Sequence, residues 1–280
     1  MKKFTPPENW QSHLLAQPPF AHLQAIFNLK AFDTWPSFEW LNQQTNQLNA
    51  QGKHIVFTEN SKLEEETRYY EEIIAQTGQV PTRENNWHDF FGAMIWCLFP
   101  KTKSLLNRLH MEEIQLHGLK ERSRKRNALT LFDECGLVLA VRETQWQDDL
   151  RAHLWYESFF ERKDYWHTSV CPFVFGHANY EMLTSPFIGL TGKLLCVQVE
   201  DDFYDLSLVE QYRHLDERLV ELITVHKVLD DNKQMSPIPL LGIPNWHYDV
   251  QDEAFYADES YFRPKRRKVS DSSKRTEKAL

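Results

Sequence analysis

Residues 81–100 read P-T-R-E-N-N-W-H-D-F-F-G-A-M-I-W-C-L-F-P, and they decide the predicted fold. Apolar residues after the two asparagines fall at positions i, i+3, i+4, i+7, i+8 and i+11, which places them on one face of a buried helix. These residues are Trp87, Phe90, Phe91, Met94, Ile95 and Leu98. Asn85 or Asn86 is expected to cap the helix and Pro100 to stop it. His88 and Asp89 then lie in its first turn, where Asp89 suits the positive end of the helix dipole.

A second helix is predicted over residues 102–114, with His110 near its end. The connection between the two helices is short, which favours an antiparallel pair and would bring His110 back towards His88. The position four residues after His88 is Gly92, so the first helix has no H-x-x-x-H ligand pair. Any partner for His88 must therefore come from another part of the chain.

The segment that follows contains a basic run and a pair of acids. Residues 120–126 carry five basic side chains and one acid, a run that is interpreted as a solvated linker. Leucines then flank D-E-C-G at residues 133–136, which predicts a β-hairpin with Gly136 at positive φ. Asp133 and Glu134 would lie at its tip, where an acid is normally only a turn former.

Two further segments have recognisable helix boundaries. Ser61 and Glu64 form a capping-box pattern that predicts a helix over residues 61–78, ending at Gly78. Residues 172–177 read P-F-V-F-G-H, which places His177 at the start of a helix. Gly176, beside it, would let another group approach the backbone closely.

The composition indicates a folded, acidic chain with a basic C-terminal segment. The 280 residues are 41% hydrophobic and 13% aromatic, enough to bury a core without disulfides or metal. We predict a mainly helical α+β single domain over residues 1–264, with a small β-hairpin or sheet element and long aromatic-rich loops. Residues 265–280 are predicted to be a disordered basic tail. From Arg263 onwards there are eight basic and two acidic residues, a net charge of +6. Because the whole chain has a net charge of −8, residues 1–262 carry −14.

The cysteines, the apolar runs and the net charge also indicate the cellular compartment and limit the possible partners. The four cysteines form no C-x-x-C pair and the N-terminus lacks an apolar signal core, which favours the cytoplasm and no disulfide-linked partner. No apolar run approaches the roughly 20 residues that a membrane helix needs, so no membrane partner is expected. The acidic body would repel a phosphate backbone, and nucleic acid could bind only through the basic tail or residues 120–126.

Several motifs in order resemble a bacterial family known as domain of unknown function 3025. The resemblance spans roughly residues 35–264 and rests on V-P-T-R-E-N-N-W-H-D-F-F-G-A-M-I-W at 80–96, R-N-A-L-T-L-F-D-E at 126–134, F-V-F-G-H-A at 173–178, L-L-G-I-P-N-W at 240–246 and A-F-Y-A-D-E-S-Y-F-R-P at 254–264. It implies a bacterial protein, so P-K-R-R-K-V in the tail is not interpreted as a nuclear-import signal. The resemblance implies no particular activity.

The first functional hypothesis is a metal-assisted hydrolase. Neutral imidazoles and a carboxylate are ligands that suit a divalent metal such as zinc, which activates water. The candidate metal ligands are His88, Asp89, His110 and His177. Asp133 or Glu134 would act as general base, while Arg126, or Arg83, would orient an anionic substrate. Without metal, the same residues could serve as a histidine and carboxylate acid-base pair.

The alternative hypothesis is a non-catalytic interaction protein that binds a protein or RNA partner. The aromatic residues would then fill the core or a partner groove, and the basic segments would contact an acidic partner or RNA. A purely structural interpretation also exists for the site as a whole. His88 would cap and pack, Asp89 would offset the helix dipole, and Asp133 would form a turn.

Overall fold

A computed structural model describes residues 4–247 and 249–265. Its α-helices in this part of the chain are α1 (Ala21–Phe27), α2 (Phe38–Gln43), α3 (Tyr70–Thr77), α4 (Trp87–Leu98), α5 (Pro100–His117), α6 (Arg124–Cys135), α7 (Gln145–Ala152), α8 (His177–Leu183), α9 (Leu208–Thr224) and α10 (Glu253–Tyr256). Its strands are β1 (Val56–Glu59), β2 (Gln79–Thr82), β3 (Gly136–Val141), β4 (Val170–Val174), β5 (Thr191–Gln198) and β6 (Ser236–Pro239). Most of the predicted tail, residues 266–280, lies outside the described residues.

In the part of the chain that the structure describes, two small sheets accompany the helices. β1 and β2 form a parallel pair, and a mixed sheet has the order β4-β3-β5-β6. In the mixed sheet β3 runs parallel to β5 and antiparallel to β4. Every residue of β3 is buried, so this strand lies at the centre of a hydrophobic cluster that extends from Leu15 to Phe262. The mainly helical α+β class predicted from the sequence is confirmed.

The predicted β-hairpin over residues 129–139 is wrong. α6 continues to Cys135 and runs directly into β3 at Gly136, whose φ is −64°. Ser123 caps α6 by accepting a hydrogen bond from the Arg126 N–H at 3.0 Å, and the helix buries Leu129 and Phe132 on one face. A Cβ on Gly136 would lie 2.5 Å from the Phe132 carbonyl oxygen. Glycine is therefore needed for the close turn from helix to strand, and Asp133 and Glu134 lie in the last turn of a helix.

The predicted start of the helix over residues 61–78 is also wrong, whereas its end is confirmed. Residues Asn60–Leu63 form a 3₁₀ turn in which Ser61 Oγ donates to Glu84 at 2.8 Å, and α3 begins only at Tyr70. The intervening charged residues have no apolar stripe to bury. At the other end Gly78 has φ of 78°, as expected for a left-handed residue after a helix.

α5 begins at Pro100, so this proline starts a helix as well as ending α4. The carboxylate of Asp216 in α9 accepts hydrogen bonds from the N–H groups of Lys101, at 2.9 Å, and Thr102, at 2.8 Å. Asp216 is buried, and it supplies partners for N–H groups that the first helical turn leaves unsatisfied. This contact fixes α5 against α9 and thereby positions Lys103 and His110 of α5.

The histidine in α1 should make stability depend on pH. Burial, and to a smaller extent nearby His167, lower the pKa of His22 to about 4. An unfolded histidine has a pKa of about 6.5, so between pH 6.5 and 4 the unfolded state binds a proton that the folded state rejects. We expect the free energy of unfolding to fall by about 2 kcal/mol from pH 7 to 4.5 through this residue. In His22→Gln, the free energy of unfolding, measured by urea denaturation at the two pH values, should fall correspondingly less. The control is His13→Gln, which replaces an exposed histidine and should keep the wild-type pH dependence. An equal fall in the free energy of unfolding in wild type and His22→Gln would show that His22 does not cause the pH dependence.

Candidate functional site

A polar cavity of about 380 Å³ opens where α4, α5, α6 and the start of α8 meet. The imidazole and charged side chains of its wall that bear on chemistry are His88, His110, His177, Lys103, Asp133 and Glu134. They come from four separate helices. The cavity therefore brings together the titratable groups that the sequence distributes over 90 residues.

Local structure places three of these side chains at one point. Asn86 caps α4 by accepting a hydrogen bond from the Asp89 N–H at 3.1 Å, which sets His88 in the first turn. α8 begins at His177, as predicted, and Glu134 lies in the last turn of α6. Gly176 lets these two ends meet, because a Cβ there would lie 2.4 Å from the Glu134 carbonyl oxygen and 2.5 Å from the Gly136 nitrogen. The close approach expected at Gly176 is confirmed.

His88, Glu134 and His177 form a compact group of possible metal ligands. The Nε2 atoms of His88 and His177 are 3.0 Å apart, and Oε2 of Glu134 lies 3.4 Å from His177 Nε2 and 3.8 Å from His88 Nε2. The circle through these three atoms has a radius of about 2.0 Å. Zinc binds histidine nitrogen and carboxylate oxygen at about 2.0–2.2 Å, so one ion can reach all three atoms.

Glu181 orients one of the two imidazoles. Its Oε2 accepts a hydrogen bond from His88 Nδ1 at 3.0 Å, which leaves His88 Nε2 facing His177 and Glu134. A carboxylate behind a histidine in this way fixes the tautomer and ring orientation of a metal ligand. The Nδ1 atom of His177 is buried and has no hydrogen-bond partner in the described residues.

The electrostatic environment gives the two histidines opposite properties. Burial, together with the charges of Lys103 and His88, lowers the pKa of His177 to about 4, so His177 is neutral at pH 7. Burial also acts to lower the pKa of His88, but the Glu181 and Glu134 carboxylates outweigh it and the pKa is raised. Burial raises the pKa of Glu134 despite the opposing effect of His88. A neutral His177 beside acidic partners is ready to bind a cation, and His88 must lose its Nε2 proton to do so.

The structure brings together only part of the predicted ligand set. Asp89 accepts hydrogen bonds from Arg83 through the backbone N–H at 2.6 Å, Nε at 3.0 Å and Nη2 at 2.9 Å. Asp89 therefore anchors residue 83 at the start of α4 and is outside the compact group. His110 lines the same cavity and is 5% exposed, but it too is outside that group.

The predicted base and the predicted anion-binding arginine have different surroundings. Asp133 pairs with Lys103 Nζ at 2.5 Å, and although burial acts to raise the pKa of Asp133, Lys103 outweighs it and the pKa is lowered. Arg126 is buried, donates to the Leu119 carbonyl at 3.0 Å and lies with its guanidinium 5.3 Å from the ring centre of Tyr69. It holds the connection between α5 and α6.

Sequence reasoning missed Lys103, Arg122, Tyr70 and Glu181. Arg122 lines the cavity, and the only sign of it was its membership of the basic run. Tyr70 also lines the cavity, although the residue is 43% exposed. Glu181 follows His177 by four residues on α8, a helical spacing that offered a signal.

The basic run at residues 120–126 is partly neutralised by neighbouring acids. Lys125 Nζ lies 3.9 Å from carboxylate oxygens of Glu113 and of Asp230, and Arg124 lies 4.0 Å from Asp231. Arg126 is buried, as described above. Within the described residues Lys120, Arg122 and the buried Arg126 are the basic members of the run that have no carboxylate within 4.0 Å.

The fold and the cavity together define an α+β protein with two histidines and a glutamate grouped beside a polar cavity. The chain belongs to the family described as "Protein of unknown function (DUF3025)", whose model matches residues 55–266. This match confirms the resemblance noted in the motifs and includes every residue of the compact group and Glu181. No curated protein and no solved structure matches the chain.

Two further structural findings concern partners. Among the described residues no helix combines the length and apolar character needed to span a bilayer. Cys97, Cys135, Cys171 and Cys196 are all free thiols in this structure.

Proposed function

We propose that the protein is a metal-assisted hydrolase that binds a divalent ion such as zinc through His88, Glu134 and His177. The observation that carries the proposal is the common distance of about 2.0 Å from one point to the three ligand atoms. Three protein ligands are the usual number in catalytic zinc sites, whereas structural sites have four. The group also borders a cavity large enough for a small substrate.

A bound divalent ion would supply a Lewis acid and lower the pKa of a water molecule to about 7. The residues around it would have distinct tasks. Glu181 holds the His88 ring so that Nε2 would be available to the ion. Glu134 joins the ligands, so the role of general base proposed for Asp133 or Glu134 falls to Asp133, which lines the cavity and is kept ionised by Lys103. Asp89 and Arg126 have structural roles in this proposal.

The interaction alternative has weaker support. Its basic contact surface at residues 120–126 is reduced by the ion pairs with acids of α5 and of the loop after α9. The metal-free histidine and carboxylate pair is better supported, because Glu134 Oε2 lies 3.4 Å from His177 Nε2. Metal loading distinguishes it from the hydrolase.

Zinc loading tests the proposal. Protein stripped with a chelator and dialysed against zinc should retain one equivalent, measured by plasma mass spectrometry, and the double variant His88→Ala, His177→Ala should retain none. Chelation should abolish, and zinc restore, hydrolysis of at least one compound in a panel of nitrophenyl esters, amides and phosphates. His13→Ala, which removes an exposed histidine, is the control. Equal zinc retention in wild type and the double variant would refute the metal site.

The bacterial origin, the cytoplasmic location and the single domain over residues 1–264 stay predictions. They depend on the motifs, the cysteine pattern and the composition described above.

A further inference from the structure

The cavity wall beside the histidine and glutamate group has hydrogen-bond donors that the protein does not use. Lys103 is 7% exposed, and its Nζ makes one hydrogen bond, to Asp133 Oδ1 at 2.5 Å. A lysine ammonium has three N–H donors, so two have no partner in the described part of the chain. Nζ also lies 5.4 Å from the centre of the Trp96 ring, a cation–π contact that uses no acceptor atom. A buried ammonium with unused donors favours acceptor atoms in the cavity.

His110 also offers the cavity a hydrogen-bonding group that has no partner in the described residues. It is 5% exposed, and within the described residues neither ring nitrogen has a hydrogen-bond partner. Nδ1 is fully buried, which leaves Nε2 as the nitrogen that the cavity can reach. Burial lowers the pKa of His110, so the ring is neutral and Nε2 can carry a proton for donation.

Arg122 adds a charge at the same cavity. Its side chain is exposed, lines the cavity and has no carboxylate within 4.0 Å in the described residues. The other cavity cations are balanced, Lys103 by Asp133 and Arg83 by Asp89. Two acids oppose an anion: Glu134, and Glu71, whose Oε2 accepts a hydrogen bond from Asn107 at 2.7 Å. A divalent ion together with Arg122 outweighs the charges of these two lining acids, and the third nearby acid, Glu181, lies behind His88 and outside the cavity wall.

We infer that Lys103, His110 and Arg122 bind an oxyanionic group of the substrate, a phosphate or a carboxylate, beside the histidine and glutamate group. Lys103 and Arg122 would donate to its oxygens, and His110 Nε2 would donate a third hydrogen bond. The inference rests on the proposed function, because the ion provides the charge that makes the cavity attract an anion. It narrows the substrate to a small molecule with an anionic group near the bond that is hydrolysed.

Anion binding can be measured without knowing the substrate. Inorganic phosphate and acetate are each titrated by calorimetry into protein loaded with one equivalent of zinc and into metal-free protein. Arg122→Ala should weaken binding of the preferred anion by about tenfold, as expected for loss of a charged hydrogen bond. Lys120→Ala is the matched control, since this residue is two positions away, exposed and outside the cavity wall, and its effect should be under about twofold.

The buried lysine needs a variant that keeps the site neutral. Lys103→Met with Asp133→Asn removes both charges of the pair, and it should weaken anion binding by about tenfold or more while zinc retention and the circular dichroism spectrum stay unchanged. Stronger binding of phosphate than acetate would identify a phosphoester substrate, and the reverse a carboxylate.

The outcomes separate the inference from the proposed function. If zinc binds but neither anion does, or if Arg122→Ala and Lys120→Ala behave alike, the anion site is refuted and the metal site stands. If zinc does not bind, the metal proposal fails, and the metal-free titration decides the anion site by the same comparison of Arg122→Ala with Lys120→Ala. If zinc does not bind and the metal-free protein binds neither anion, the metal proposal and the anion site are both refuted.

Discussion

Replacing His177 with alanine should lower the affinity for zinc by at least about a hundredfold, because the variant removes one of three ligands from a buried position. His88→Ala should have a similar effect. Glu181→Gln should weaken zinc binding by about tenfold to a hundredfold, since Glu181 only orients the His88 ring. Competition with a chromophoric chelator at pH 7.5 measures each dissociation constant.

His110→Gln and Asp89→Asn are the informative comparisons. Both residues belong to the ligand set predicted from sequence, but neither lies in the compact group. We expect zinc affinity within about threefold of wild type for each, because neither side chain makes a hydrogen bond to the side chain of a ligand residue, as that of Glu181 does. A loss in His110→Gln as large as in His177→Ala would restore His110 as a ligand and contradict the set His88, Glu134 and His177.

Gly176→Ala should lower the free energy of unfolding by about 3 kcal/mol or more, or prevent folding. The new Cβ would lie 2.4 Å from the Glu134 carbonyl oxygen, 2.5 Å from the Gly136 nitrogen and 2.6 Å from the Cys135 carbonyl carbon. All three are backbone atoms, which cannot rotate away as a side chain can. Any folded variant must separate the end of α6 from the start of α8, so it should also bind zinc more weakly. Urea denaturation and zinc competition measure the two effects.

Gly92→Ala is the matched control for this glycine. It also lies next to His177, but a Cβ there would be 3.9 Å from the His177 ring, an ordinary contact. Alanine in a helix is favoured over glycine by about 1 kcal/mol, so this variant should be as stable as wild type or more stable. If Gly176→Ala unfolds at the same urea concentration as wild type, close approach at residue 176 is not what joins Glu134 to His177.

Local sequence patterns predicted the elements that carry the site. The apolar spacing after Asn86 identified α4, and the glycine before His177 identified both the start of α8 and the close approach. The pattern around residues 129–139 was misread because D-E-C-G resembles a turn, whereas the burial of Leu129 and Phe132 follows a helical period. Short apolar runs of this kind fit a strand or a helix equally well until their packing partners are known.

By itself the sequence determined the mainly helical α+β class, the family, and the presence of His88 and His177 at helix starts. These features depend on periodicity and capping, which act over a few residues. Only the tertiary structure decided which acid joins the histidines. Glu134 lies beside His177 because the end of α6, the start of β3 and Gly176 are in contact. Asp89 is not part of the group, because its carboxylate accepts hydrogen bonds from Arg83. Such contacts depend on how separate elements pack, and no spacing within one segment encodes them.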